Sequence, residues 1–293
     1  MIDYKKIIKS RELRLKLSQF LLFIPDSIYL KIVFRIKTGK KLNLKNPQTF
    51  CDKLNWLKIN DIHPEYSELA DKIRVREHVK KVLGEDICIP LLGSWKHYDD
   101  INFDDLPERF VLKCNHDSGS VKIIQDKSTM DHKSLRKFFE DRLKENSYAD
   151  SREYPYRYIK PRIMAEKYVV DEGKTDLDDY KFFCFNGEPV LLYVATERSE
   201  NCKFDFFDMK FNHLDITNIH PQSNKNIPEP QSFGEMKKIA QLLSKGYKFV
   251  RIDLYEISGK VYLGEYTFFH AGGMWPLTPE EWEIGLGQLI KIN

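Results

Sequence analysis

The chain has 293 residues, 42% of them hydrophobic and 31% charged, which predicts one large folded domain or two closely packed ones. Its formal net charge is only +3, too small to indicate a general nucleic-acid-binding protein. The five cysteines are scattered and never spaced C-x-x-C, which disfavours a disulfide framework and a zinc site and favours a reducing cytoplasm.

The N-terminal region is basic and is predicted to be helical. Residues 5–37 are rich in Leu, Ile, Lys and Arg, but their apolar runs are far shorter than the roughly 20 residues of a membrane span. Residues 1–50 hold 12 Lys and Arg against 3 Asp and Glu. This excess indicates either a solvated helical surface or a segment that lies on an anionic membrane surface. No signal peptide is evident, so we expect a cytoplasmic protein, with peripheral attachment to the inner face of the membrane as an option.

Two amphipathic helices are predicted before the first strand. One spans residues 49–60, and the other spans 67–86, carries Asp71-Lys72 and ends at Gly84. A strand and turn follow at 87–95. The next predicted elements are strands at 110–113, 121–124 and 161–170 and a polar helix at 131–145.

The second half of the chain is predicted to be rich in strands. Residues 179–198 form a predicted hairpin around Asn186-Gly187. The final helix begins at Thr278-Pro279-Glu280-Glu281, which matches a capping box with proline at the first helical position. Interleaved strands and helices predict an α+β fold. The other predicted elements are a strand at 203–211, a loop at 212–232, a helix at 233–246 and a hairpin at 250–268.

The stretch "FVLKCNHDSGSV" at residues 110–121 allows two interpretations. An apolar strand ends at Lys113, and a polar loop with a single glycine follows before the apolar "VKII". In one interpretation Lys113 is a solvated hairpin end and Asp117-Ser118-Gly119 is its turn. In the other, the lysine and the loop hold phosphate, because small residues let backbone N–H groups approach an anion.

The predicted hairpin at 250–268 brings two acids together. If its turn centres on Gly259, Asp253 lies opposite Glu265 and both share a face with Arg251. Carboxylates directly opposite each other repel, and a divalent cation such as Mg²⁺ would neutralise them together with substrate phosphates. The alternative is an Arg251–Asp253 ion pair with Glu265 in solvent, and a slip of register would remove the arrangement altogether.

These features occur in an order that resembles the ATP-grasp superfamily, in which two α+β subdomains clamp a nucleotide. Additional motifs resemble the TupA-like ATP-grasp family, whose namesake is linked to teichuronopeptide synthesis and whose relatives are associated with surface polysaccharides. The resemblance covers about residues 40–290 and is specific as a set. The motifs that carry it are "DKIRVREHVKKVLGEDICIP", "FCDKLNWLK", "HDSGS", "MAEKYV", "DYKFFCFNGEP" and "HAGGMWP".

The resemblance implies a division of the chain and a set of site residues. It implies a basic helical region at 1–60, a lobe at 61–110, a small subdomain with the phosphate loop at 111–170 and a C-terminal subdomain with the metal site at 171–293. The implied nucleotide-binding residues are Lys72, Lys113, His116, Ser118, Gly119, Ser120, Glu166, Lys167, Tyr168 and Val169. The implied catalytic cations are Lys181, Arg198 and Arg251, and the implied magnesium site is Asp253, Glu265 and Thr267.

Some of these assignments leave alternatives open. Lys181 is either a phosphate or substrate cation or an exposed strand lysine, and His116 and His270 are interpreted as positioning or surface residues. Thr267 stands where many superfamily members have asparagine, so the resemblance indicates one or two magnesium ions.

The reaction that the resemblance implies is ATP- and Mg²⁺-dependent ligation of a carboxylate to an amine through an acyl phosphate. The expected acid is a small molecule or glycan such as a uronic acid, and nucleic acid is not expected as a partner. The alternatives are a glycosyltransferase of the same pathway, for which a D-x-D motif is missing, and a catalytically silent nucleotide-binding scaffold.

Overall fold

Two antiparallel sheets organise the computed structural model, which describes residues 11–171, 177–198, 201–223 and 225–292. The part of the predicted N-terminal helices that precedes residue 11 lies outside the described residues. The helices are α1 (Arg11–Phe20), α2 (Asp26–Thr38), α3 (Phe50–Asn60), α4 (Glu65–Ala70), α5 (Val75–Leu83), α6 (His132–Leu143), α7 (Ser147–Ser151), α8 (Phe233–Ser244) and α9 (Glu280–Leu289). The strands are β1 (Leu91–Trp95), β2 (Phe110–Cys114), β3 (Lys122–Ile124), β4 (Ile163–Lys167), β5 (Asp179–Phe185), β6 (Glu188–Thr196), β7 (Lys203–Asp208), β8 (His213–Leu214), β9 (Phe249–Ile257) and β10 (Lys260–Thr267).

The smaller sheet has four strands in the order β1-β4-β2-β3. Alternate residues of β2 point into a core, so that Phe110, Leu112 and Cys114 are fully buried. Phe139 of α6 packs in the same core. This sheet therefore presents the predicted Lys113 on the face opposite to its core.

The larger sheet has six strands in the order β10-β9-β5-β6-β7-β8. β5 is buried along its whole length, because it lies inside the sheet and α8 packs against it. The β5–β6 turn is formed by Asn186 and Gly187 with φ of 52° and 87°, which confirms the predicted hairpin.

The helix predicted at 67–86 is wrong in one respect, because the structure breaks it into α4 and α5. Asp71 and Lys72 lie in the connection between them. The Asp71 carboxylate accepts hydrogen bonds from the backbone N–H of Ile73 at 2.9 Å and from the Asn115 amide at 3.0 Å. Asp71 thus stabilises the turn between the two helices, and α5 ends at Gly84 as predicted.

The predicted capping box at the last helix is also wrong. The structure places Pro279 at the N-cap of α9, and no side chain caps the helix there. Glu283 instead accepts hydrogen bonds from the backbone N–H groups of Leu277 at 3.0 Å and Cys51 at 2.6 Å. Glu283, which was not part of the predicted box, thus joins the start of α9 to the start of α3.

The β9–β10 hairpin has the predicted pairing at its acidic end but a different turn. Ser258 and Gly259 form a two-residue turn, so Ile257 pairs with Lys260. A bulge at Gly264 then shifts the register by one residue, and Asp253 pairs with Glu265 as the sequence predicts. The prediction from a turn centred on Gly259 reached the right acid pair because the bulge compensates for the shorter turn.

The division of the chain into four regions stays a prediction. The two sheets separate at the segment between β4 and β5, close to the predicted boundary at 170. β1, which belongs to the predicted lobe at 61–110, pairs with β4 in the smaller sheet.

Candidate active site

A cavity of about 760 Å³ lies between the two sheets and is bordered by both of them. Its size is within the range of about 300–1,000 Å³ that is usual for small-ligand sites. Of the 16 predicted site residues, 13 line it. They are Lys72, Lys113, Ser118, Gly119, Ser120, Glu166, Lys167, Tyr168, Val169, Lys181, Arg198, Arg251 and Glu265.

The polar loop after β2 forms one wall of the cavity. Gly119 has φ of +85°, a left-handed conformation that favours glycine, and its carbonyl accepts a hydrogen bond from Arg142 at 2.8 Å. The Ser120 hydroxyl oxygen accepts from the backbone N–H of Cys114 at 2.7 Å. Lys72 Nζ donates to the Asp117 carbonyl at 2.7 Å. The loop therefore has a cation beside it and is anchored at both of its ends.

Lys113 does not end in solvent, so the interpretation of a solvated hairpin end is wrong. Its ammonium lies 2.6 Å from the Glu166 carboxylate of the adjacent strand β4, and both side chains are mostly buried. The backbone N–H of the next residue, Lys167, donates a hydrogen bond to the Pro90 carbonyl. The ring of Tyr168 stacks on the Arg109 guanidinium, whose Cζ lies 4.5 Å from the ring centroid. This edge of β4 forms the second wall of the cavity.

The third wall is the larger sheet, where a row of polar side chains crosses four strands. Tyr193, Lys181, Asp253 and Glu265 are consecutive neighbours in the pairings β6–β5, β5–β9 and β9–β10. Lys181 is the neighbour of Asp253 in this row, and the two acids Asp253 and Glu265 are adjacent. The row exists because the strand order places β9 between β5 and β10.

Asp253 is completely buried and is neutralised by two cations. Arg251 binds it with two hydrogen bonds, from Nε at 2.6 Å and from Nη2 at 2.7 Å, and Lys181 contacts the same carboxylate. Burial by itself lowers the pKa of Arg251, but the adjacent Asp253 raises it well above its usual value. The ion pair that the sequence offered as an alternative is therefore present, and Asp253 lies beneath the cavity surface.

Glu265 faces the cavity, with its side chain 25% exposed. Lys72 Nζ lies 3.6 Å from one oxygen and Arg251 Nη2 lies 3.4 Å from the other. Burial would raise the pKa of Glu265, but the charges of Lys72, Lys181 and Arg251 lower it to about 2. Glu265 is therefore an anion at neutral pH and is not the solvated residue of the alternative interpretation.

His270 is hydrogen-bonded to Arg251 and does not line the cavity. Arg251 Nη1 lies 2.9 Å from His270 Nδ1, and since a guanidinium can only donate, Nδ1 accepts and Nε2 carries the proton. That proton is donated to the Asn218 side-chain oxygen at 3.0 Å. Burial and the nearby charges of Arg251 and Lys181 lower the pKa of His270 well below its usual value. A neutral positioning role for His270 agrees with this geometry.

Three predicted site residues do not line the cavity: His116, Asp253 and Thr267. His116 is buried, and its Nε2 lies 3.3 Å from the Arg142 carbonyl. The Thr267 hydroxyl accepts from Arg251 Nη2 at 3.1 Å. These three residues are buried behind the side chains that form the walls of the cavity.

Asp179 was not predicted as a site residue, but it lines the cavity although it is only 1% exposed. Its carboxylate lies 2.6 Å from Lys181 Nζ and 3.4 Å from Arg198 Nη1. Asp179 and Lys181 are two residues apart on one strand, so they point to the same face. An acid two residues before a candidate cation is the signal that could have identified it.

The residues present fit a nucleotide with its metal ion. Lys72, Lys113 and the loop at 117–120 place positive charge and small residues around a space large enough for it. Glu265 supplies an ionised carboxylate, the type of ligand that Mg²⁺ takes together with phosphate oxygens. Among the described residues no group of three or more His, Cys, Asp and Glu could hold a metal by itself.

A cleft between two sheets, with cations along it and Glu265 on one wall, is an arrangement that fits a nucleotide and its metal ion. The family model described as TupA-like ATPgrasp matches residues 52–291. The chain therefore belongs to the TupA-like ATP-grasp family and has the ATP-grasp fold.

Solved structures resemble the chain at low identity. D-alanine–D-alanine ligase from Bacillus anthracis, complexed with ATP, is 17% identical over 78% of this chain and 64% of its own, with a TM-score of 0.41. An ADP complex of PurK, N5-carboxyaminoimidazole ribonucleotide synthetase, is 12% identical over 82% of this chain and 56% of its own, with a TM-score of 0.43. The chain thus spans less than two thirds of either protein. The comparison with curated proteins found no match.

Proposed function

We propose that this protein joins a carboxylate to an amine with Mg-ATP as the energy source, and that its acid substrate is a uronic acid, free or in a surface glycan. The observation that supports the proposal is the convergence of Lys72, Lys113, the loop at 117–120 and Glu265 on one cavity. Mg-ATP, when bound, supplies the γ-phosphoryl group that activates the carboxylate as an acyl phosphate, which the amine converts to an amide with release of phosphate.

The side chains of the chain itself would perform the binding and orientation in this reaction. Lys72 and Lys113 would neutralise phosphate oxygens, and backbone groups from Glu166 to Val169 would contact the base. Glu265 would provide the carboxylate of the metal site, and Asp253 would contribute only if Arg251 or Lys181 released it. This arrangement requires no protein nucleophile, because positioning and charge neutralisation provide most of the catalysis.

Arg198 and Arg251 are the proposed contacts for the acid substrate. Arg198 is 40% exposed at the cavity, and Arg251 is held rigidly by Asp253 and His270. A planar guanidinium binds a carboxylate with two parallel hydrogen bonds, and it also stabilises a phosphoryl group during transfer. Both arginines keep their charge, since neighbouring acids raise the pKa of each despite burial.

The proposed location is the cytoplasm, at the inner face of the membrane where surface polysaccharides are assembled. The excess of Lys and Arg in residues 1–50 supports this placement. Association with capsule or teichuronopeptide synthesis is proposed on the same family basis.

The proposal is tested by incubating the purified protein with Mg-ATP and panels of uronic acids and amino acids. We expect ADP and phosphate to form only when an acid and an amine are both present, and mass spectrometry should show the amide. With a heavy-oxygen label in the substrate carboxylate, the label should appear in the released phosphate.

Other results would identify the alternatives. Release of UDP from a UDP-sugar would show a glycosyltransferase. Tight binding of ATP without turnover for any acid and amine would indicate a silent nucleotide-binding scaffold. Phosphate without the heavy-oxygen label would exclude an acyl phosphate on the pathway.

A further inference from the structure

Exposed apolar side chains are concentrated in the two N-terminal helices and their connection. Of the 15 large apolar side chains that are exposed in the described residues, eight lie between residues 13 and 36. Such a concentration marks an interaction surface, whereas single exposed apolar residues are normal. This N-terminal apolar surface consists of Leu13, Leu17, Phe20, Leu22, Phe23, Ile28, Ile32 and Ile36.

The spacing of these residues shows that the surface is organised. Ile28, Ile32 and Ile36 follow one another every four residues and form one exposed stripe along α2. The other side of the same helix is already packed, because Tyr29 and Phe34 are buried in a core with α3. α2 therefore has a second apolar face that the fold does not use.

Leu13, Leu17 and Phe20 are four and three residues apart, so they lie on one face of α1. Phe20 also contacts Phe23 of the connection, with ring centroids 5.5 Å apart. The aromatic pair links the end of α1 to the segment that leads into α2. The exposed apolar residues of α1 therefore continue through the connection toward those of α2.

Positive charges predominate in the segment that carries this surface. Residues 11–41 contain eight Lys and Arg against two acids, Glu12 and Asp26. Asp26 is engaged within the protein, since the Arg152 guanidinium lies 3.1 Å from it. Lys31 and Arg35 are exposed on α2 beside the isoleucine stripe. An apolar face with a cationic border is the pattern of a helix that lies in the interface of an anionic bilayer.

We propose that the N-terminal apolar surface docks on a membrane that contains anionic phospholipid. Its apolar side chains would enter the boundary between head groups and acyl chains, and the cations would contact lipid phosphates. No helix in the described residues is long and apolar enough to cross a bilayer. A second copy of the chain is a poorer occupant, because a symmetric contact would bring the same cations together.

Direct contacts connect this surface with the active site. Arg152 donates to the Leu21 carbonyl at 2.8 Å, so the segment after α7 is attached to the connection between α1 and α2. Lys58 donates to the carbonyls of Ser151 at 2.8 Å and Gly272 at 2.6 Å. Gly272 belongs to the turn that begins with His270, the partner of Arg251. These contacts fix the position of the docking surface relative to Arg251, and only the relevance of that position to catalysis rests on the proposed function.

The test is sedimentation of the full chain with lipid vesicles, without ATP or substrates. We expect the protein to sediment with vesicles of phosphatidylcholine and phosphatidylglycerol but not with phosphatidylcholine alone, and added salt should weaken the binding. The double variant Phe20→Ser/Phe23→Ser should bind at least about tenfold more weakly. Lys31→Gln/Arg35→Gln should bind severalfold more weakly and depend less on salt. The matched control is Leu242→Ser, an exposed apolar residue on α8, which should bind like the wild type.

Each result decides the proposal independently of the ligase reaction. Thermal unfolding and nucleotide binding show whether each variant is folded, so a loss of vesicle binding in a folded variant supports the surface. Wild-type protein that stays in solution with anionic vesicles would overturn the proposal. Loss of self-association in Phe20→Ser/Phe23→Ser, with no vesicle binding by the wild type, would instead show that a second copy covers the surface.

Discussion

The ammonium of Lys72 lies 3.6 Å from the carboxylate of Glu265, so the connection between α4 and α5 meets the acid of β10 across the cleft. The same ammonium donates to the Asp117 carbonyl of the loop after β2. One lysine thus joins the predicted phosphate loop of the smaller sheet to the predicted metal ligand of the larger one.

We predict that Lys72→Met weakens the binding of Mg-ATP by about tenfold or more, because one charge-assisted contact contributes about 1.5–3 kcal/mol. Calorimetric titration with a non-hydrolysable ATP analogue measures the effect. Lys80→Met, on the exposed side of α5, is the matched control and should bind like the wild type. Equal affinities of the two variants would remove Lys72 from the nucleotide site.

The low pKa of Glu265, about 2, predicts a defined dependence of stability on pH. The pKa of Glu265 is lower in the folded state than the ordinary value of 4.5, so the carboxylate adds stability above pH 4.5 that is lost as the pH falls toward 2. We expect Glu265→Gln to be less stable than the wild type by about 2 kcal/mol at neutral pH. Denaturant unfolding of both proteins across this pH range should show the difference shrinking in acid, and a constant difference would contradict the low pKa.

Asp253→Asn is predicted to cost more stability than Glu265→Gln. Loss of the buried carboxylate leaves Arg251 and Lys181 without their counter-ion, which costs about 3–5 kcal/mol for a buried pair. Both variants should lose turnover, but only Asp253→Asn should unfold at a much lower temperature. If Asp253→Asn unfolds at the same temperature as the wild type and has lost only Mg²⁺-dependent turnover, then Asp253 is a metal ligand and not chiefly a structural counter-ion.

Gly264→Ala is predicted to disturb the acid pair. A Cβ at this bulge would lie 2.8 Å from the Tyr255 ring and 3.3 Å from the Asp253 carbonyl, so a neighbour or the strand must move. We expect a loss of about 1–3 kcal/mol in stability and a weaker response to Mg²⁺. The control is Gly285→Ala in α9, where a Cβ meets nothing within 4 Å and the helix should gain about 0.5–1 kcal/mol. A Gly264→Ala protein with unchanged stability and activity would show that the bulge does not set the pairing.

Much of the local structure could be predicted because it depends on neighbours in sequence. Asn186-Gly187 demands a tight hairpin turn, and Gly84 ends a helix because it adopts a left-handed conformation. The predictions that were wrong concern side chains with partners far away. The predicted cap of α9 at Thr278 is absent, and Glu283 joins that end of the helix to Cys51 of α3. Asp71 lies at the break between two helices and bonds to Asn115.

The sequence by itself determined that Arg251 and Asp253 share a face, because side chains alternate along a strand. The pairing of Asp253 with Glu265 also required the bulge at Gly264, which the sequence pattern did not predict. Only the tertiary structure decided what lies beside them. The strand order sets β5 next to β9, so that Lys181 neutralises Asp253, and the approach of the smaller sheet brings Lys72 to Glu265. These neighbours come from distant parts of the chain, and no local pattern encodes which strands or segments will meet.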